Sequence, residues 1–173
     1  MTVSINDLTK LGVINDITTD KMKENHTKCY EVINPHNPVD QVKFYLYDRS
    51  HKDLTKMSTK DQYILRTWCR CINYGWHGGT EGLIIVKKFD SYKEMVDYSV
   101  CKFLYHFLTQ NDNGSANTHT LFTKKKYEKF KQLTYDSLKD IYKKRETLRH
   151  LMKLYQNSDK AKSVIDLFLK DFN

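Results

Sequence analysis

Proline and glycine are scarce in this chain, two and six in 173 residues. An all-β sandwich spends both on its many tight turns, and long flexible linkers spend glycine, so neither is expected. No run approaches the roughly 18 apolar residues that a membrane span needs, and no membrane contact is expected. The opening MTVSINDLTK lacks the basic-then-apolar pattern of a secretory signal. Cysteine is also sparse. Cys29, Cys69, Cys71 and Cys101 therefore read as free thiols in a reducing, cytoplasmic setting. There is no Lys-Ser/Thr after a glycine loop, no His-Glu-x-x-His, no Gly-x-Ser-x-Gly and no carboxylate cluster of metal-nuclease type. No cofactor is expected, and catalysis is not the leading expectation.

What is present is apolar and aromatic enough to fold. Hydrophobic residues make up 39% and aromatics 13%, too much for a disordered basic tail and enough for one domain with a real core. Abundant Lys, Asn, Tyr, Asp and Ile match what an AT-rich genome encodes, as in many viruses and phages. On that compositional ground a viral or phage protein acting in a host cell is expected.

Charge is concentrated. Residues 123–157 hold eleven Lys or Arg against four acids, so this segment carries nearly all of the formal +8. At 100° per residue, Tyr127, Phe130, Leu138, Ile141, Leu148, Met152 and Tyr155 fall in one arc, the signature of an amphipathic helix. Arg145 falls inside that arc, where it either snorkels or meets a buried carboxylate. Unbroken, the helix would run about 50 Å, longer than the roughly 40 Å width of a compact chain this size. A break is expected near Thr134, which can cap a new first turn. Lys124, Lys125, Lys126, Lys129, Lys139, Lys143, Lys144 and Arg149 are the candidate contacts to nucleic-acid phosphates, with Tyr127, Tyr135 or Tyr142 as stacking partners. Glu128, Asp136, Asp140 and Glu146 are interleaved with them, as on an ordinary solvated face.

Along the rest of the chain, Ser4 caps a helix over 5–11 that Gly12 stops. A second helix is expected over 20–29. Asn34-Pro35-His36-Asn37-Pro38 is the clearest turn, and 42–47 has the alternation of a strand. Ser58 with Asp61 is expected to start a helix through about 74, with Ile64, Trp68, Cys71 and Ile72 inside. The stretch 82–89, GLIIVKKF, reads as the most buried strand, followed by a helix from Asp90 or Ser91 to about 108. A last helix opens at Ser158 and uses Val164, Ile165, Phe168, Leu169 and Phe172. The expected fold is a single predominantly helical α+β domain of five to seven helices with a small two- or three-stranded sheet. It divides into a helical N-terminal portion (1–33), a turn (34–39), an α/β core (40–122) and a basic helix or helix pair with a C-terminal helix (123–173).

Two groups of residues hint at chemistry. Gly75-Trp76-His77-Gly78-Gly79-Thr80-Glu81-Gly82 holds four of the six glycines; His77 could serve as acid or base with Glu81 as its orienter. His119, just before the basic segment, could join His77 in cleaving phosphodiesters if the two converge. His26-x-x-Cys29 with Cys69-x-Cys71 has the wrong spacing for a zinc knuckle. On a helix Cys69 and Cys71 would point about 200° apart, so no metal site is expected. The leading expectation is a non-enzymatic protein that binds nucleic-acid phosphates through the basic segment 124–153. The alternatives are an inhibitor or effector of a host protein, acting by protein–protein interaction, and a phosphodiesterase using His77 and His119.

Overall fold

The computed structural model describes residues 3–33, 41–52, 61–71, 80–109 and 122–154, together with Leu167 and Lys170. The chain begins with α1 (Ile5–Lys10), β1 (Ile14–Asp16) and α2 (Asp20–Glu24). Four longer strands follow: β2 (Thr27–Val32), β3 (Gln41–Asp48), β4 (Tyr63–Cys71) and β5 (Thr80–Phe89). Three helices close the described chain: α3 (Tyr92–Thr109), α4 (Lys124–Lys131) and α5 (Tyr135–Leu154). The strands pair antiparallel in sequence order, β1-β2-β3-β4-β5.

The expected small sheet of two or three strands is therefore wrong; five strands form it. Two segments expected to be helical are extended. The helix expected over 20–29 stops at Glu24, His26 takes a positive φ of 50°, and β2 starts at Thr27. Histidine is among the residues that tolerate this left-handed conformation, so the chain reverses there without a glycine. The N-terminal portion is consequently part of the sheet. The helix expected over 58–74 is replaced, over its described residues, by β4. Buried Leu65 and Thr67 lie on its core side, while Ile64, Arg66 and Trp68 alternate with them onto the other side. Residues 82–89 do form a strand, but β5 is last in the sheet order, and Val86, Lys87 and Lys88 are exposed. Phe89 at its end is buried, and β3 holds Val42, Phe44 and Leu46 in the core.

The expected helix ends hold where a cap writes them. Ser4 and Asp7 exchange side-chain-to-backbone bonds in a capping box, and Gly12 follows at φ 69°. Ser91 Oγ accepts the Glu94 N–H at 3.1 Å at the start of α3. The basic segment breaks where expected: α4 ends at Lys131, and Thr134 Oγ1 accepts the Ser137 N–H at 3.2 Å to open α5. The turn at 34–38 and most of the C-terminal helix expected from Ser158 lie outside the described residues.

The core is layered. Residues Ser99 to Leu108 of α3 are buried without interruption, the mark of a helix covered on all sides. On its sheet side Phe103 meets Tyr30 and Phe44, with ring centroids 5.7 and 4.7 Å apart. Farther round the helix Tyr105 meets Phe130 of α4, and Phe107, about 40° from Phe103, stacks on Tyr142 of α5. Arg145, 5% exposed, lays its guanidinium 4.6 Å from the Phe107 ring centroid. α3 thus lies between the sheet and α4, with α5 packed along it at Phe107.

Candidate nucleic-acid interface

One face of the sheet supplies the core: Tyr30, Val32, Val42, Phe44, Leu46 and Leu65. Lys43, Tyr45, Tyr47, Arg66 and Trp68, which alternate with these, belong to the opposite face and to no part of that core cluster. The strand register sets them in cross-strand rows. One row runs Glu31, Lys43, Trp68; the next runs Cys29, Tyr45, Arg66, Val86; the third runs Thr27, Tyr47, Ile64, Lys88. Thr27, Cys29 and Ile64 are buried and form the floor. Lys43, Tyr45, Tyr47, Arg66 and Trp68 around them are half-buried, while Lys88 and Val86 are exposed.

The cations on this face lie over its rings. Lys43 Nζ is 5.2 Å from the Trp68 ring centroid. The Arg66 and Arg49 guanidiniums are 5.2 and 5.8 Å from that of Tyr47, and Tyr45 and Tyr47 lie 6.4 Å apart, 23° from parallel. Such contacts hold rings and charges in fixed orientation at low cost. Arg66 Nε is buried and has no hydrogen-bond partner among the described residues. An unmet buried donor costs about 1–3 kcal/mol, which an acceptor on a ligand would recover. Lys88 pairs with Asp61 at the rim. Burial pushes the Cys29 thiol up to about 11, against the opposing influence of its hydrogen bond to Tyr45. Cys29 is therefore a neutral part of the floor.

The basic segment lies on the other side of α3 from this face. Lys124, Lys125, Lys129, Lys139, Lys143 and Lys144 are exposed, and so are Glu128, Asp136, Asp140 and Glu146 between them. Lys126 turns inward, donating to Tyr105 Oη at 2.9 Å. Lys131 and Lys139 lie over Tyr127 and Tyr135, ring centroids 5.5 and 4.5 Å away. Tyr127 packs against Tyr98 rather than standing free to stack. Nothing is described of the Arg149 side chain.

His77 and His119 lie outside the described residues. Glu81 is in β5, opposite Arg70 in the register. Cys69 and Cys71 sit on a strand with a register shift between Cys69 and Arg70, so the helical angle expected between them does not apply.

The aromatic face escapes a reading that makes 58–74 a helix, because Trp68 then falls on the buried side. Its signal was nonetheless present: positions 43, 45, 47 and 66, 68 each carry a cation or a ring at strand spacing. Among the described residues no helix is long and apolar enough to cross a membrane. Comparison with known proteins returns no matching family model, no matching curated protein and no matching solved structure.

Proposed function

We propose that the protein binds single-stranded nucleic acid on the outer face of its sheet. The observation that carries this is the cross-strand set of Tyr45, Tyr47 and Trp68 interleaved with Lys43, Arg66 and Lys88, outside the core cluster. Unpaired bases stack on aromatic rings and guanidinium planes, while cations between the rings meet the phosphates. A duplex hides its base faces, so this surface selects single strands. The exposed lysines of α4 and α5 would add long-range attraction to the same polyanion from the other side of the molecule.

Fluorescence-polarisation titration with short single- and double-stranded DNA and RNA tests the proposal. Single strands should bind more tightly than duplexes. Trp68→Ala should weaken single-strand binding roughly tenfold, the low end of the about 1–3 kcal/mol that one stacked base contributes. Equal affinity for both forms, or binding untouched by Trp68→Ala in a folded protein, would sink the proposal. In that event the host-protein reading becomes the better one, because half-buried aromatics flanked by arginine also anchor protein interfaces.

A further inference from the structure

A cavity of about 210 Å³ opens where α2, the paired ends of β2 and β3, and the first residue of α3 meet. Lys23 lines it from α2, His26 from the turn, Lys28 from β2 and Tyr92 from α3, with Leu46 and Asp48 on the β3 side. Three basic side chains thus face one carboxylate. That carboxylate is already engaged: Asp48 Oδ1 accepts the Ser50 N–H at 2.9 Å and the Ser50 hydroxyl at 2.6 Å. Lys23 pairs with Asp20 at 2.9 Å, but its side chain is 64% exposed and can swing toward the cavity. The His26 ring is braced by stacking on His51, centroids 3.9 Å apart.

The volume is below the roughly 300–1,000 Å³ of pockets that hold drug-sized molecules, and suits a single phosphate group better than a run of nucleotides. A phosphate monoester carries about −1.5 to −2 at neutral pH, and Lys23 and Lys28, with the His26 ring as a further polar group, stand toward it beside the single Asp48 carboxylate. Lys28, Leu46 and Asp48 belong to the core side of the strands and Thr27 and Tyr47 to the outer side, so the cavity sits at the end of the sheet, across its edge from the third row. We propose that this cavity is a phosphate-monoester site, receiving the terminal phosphate of a strand whose end nucleotide lies at Tyr47. The strand as the source of that phosphate rests on the function proposed above; the site itself does not.

The two parts are tested by separate arms. In the first, inorganic phosphate is titrated into the isotopically labelled protein and amide resonances are followed by NMR. Saturable shifts at Thr27, Lys28 and Asp48, lost in Lys28→Glu and in Lys23→Glu while the remaining spectrum stays native, are expected. In the second, oligonucleotides with a 5′-phosphate, a 3′-phosphate or neither are compared by polarisation. One phosphorylated end should bind about tenfold more tightly, and Lys28→Glu should erase that increment. Shifts with phosphate but no preference for either end would uphold the site and identify a free phosphorylated compound as its source. Shifts without any oligonucleotide binding would defeat the sheet-face proposal and leave the cavity standing. No saturable shift with phosphate overturns the cavity site, whatever the oligonucleotides do.

Discussion

The Lys102 ammonium donates to Thr67 Oγ1 at 3.0 Å across the interior between α3 and β4. The two residues are 6% and 2% exposed, and Lys102 Nζ also lies 5.8 Å from the Phe44 ring centroid. A buried cation is costly unless its hydrogens are met. Thr67→Val removes an acceptor and leaves the charge, so it should cost about 1.5–3 kcal/mol, the range for a bond to a charged group. Lys102→Met removes the charge and keeps most of the volume, and should be near neutral or stabilising. The double variant should then recover most of the loss. Urea unfolding of the four proteins gives this cycle directly; simply additive losses would mean that the bond contributes nothing of its own.

The same ammonium acts on His106, one turn further along α3. His106 is 4% exposed, and burial, then the Lys102 charge, drives its pKa from 6.5 down to about 3. The folded protein therefore holds a neutral ring where the unfolded chain takes up a proton below pH 6.5. Stability contributed by the neutral ring is whole above that value and is lost as pH falls from 6.5 toward about 3. Each pH unit inside the window removes about 1.4 kcal/mol, so roughly 2 kcal/mol should be gone by about pH 5. His106→Phe should flatten this part of the pH profile and keep the edge contact to Phe44. Lys102→Met should raise the folded-state pKa and narrow the window. Chemical denaturation at about pH 7, 6 and 5 measures all three proteins; an equal acid slope in His106→Phe would assign the loss to other groups.

Helix ends were legible because single residues determine them: Ser4 with Asp7, Ser91, and Thr134 each offer an oxygen to an otherwise unmet N–H. The sheet was harder to see, for a physical reason visible in β4. Leu65 points into the core while Ile64 on the opposite side is equally buried, 1% and 4% exposed. A strand apolar on both faces loses its alternation, and the spacing of Ile64, Trp68 and Cys71 then imitates one side of a helix. At α2 the stop came from His26 at φ 50°, a conformation that sequence leads one to expect of glycine or asparagine. Misplacing those two segments also concealed the outer face, since its rows exist only when β2, β3, β4 and β5 are paired. The positive charge of the basic segment was evident from composition alone, but the inward turn of Lys126 to Tyr105 depends on α3 lying beneath it.

Cys29 and Cys101 should resist thiol reagents until the protein unfolds. Both are fully buried, and burial raises their thiols to about 11 and about 12. Little thiolate, the attacking species, is present at neutral pH. Alkylation with iodoacetamide, followed by peptide mass spectrometry, should leave both unmodified in buffer and modify both in denaturant. Native-state labelling of Cys29 at the rate of a free thiol would show that the floor of the outer face opens readily.

Charge reversal separates the two basic surfaces, which lie on opposite sides of α3. For single strands the logarithm of affinity falls with the logarithm of salt by about 0.7 per phosphate neutralised. If Lys43 and Arg66 meet phosphates beside the stacked bases, Lys43→Glu/Arg66→Glu should remove two contacts and flatten the slope by about 1.4. Lys124→Glu/Lys125→Glu should leave the slope nearly unchanged and lower affinity only at low salt, because those exposed side chains would act at long range. The reverse pattern would move the phosphate path to α4. It would also require the strand to avoid Glu128, which is exposed on that helix beside Lys124 and Lys125. On the sheet face Glu31 adjoins Lys43, but no acid stands in the row Cys29, Tyr45, Arg66 and Val86. For this reason the sheet face is the surface expected to set the slope.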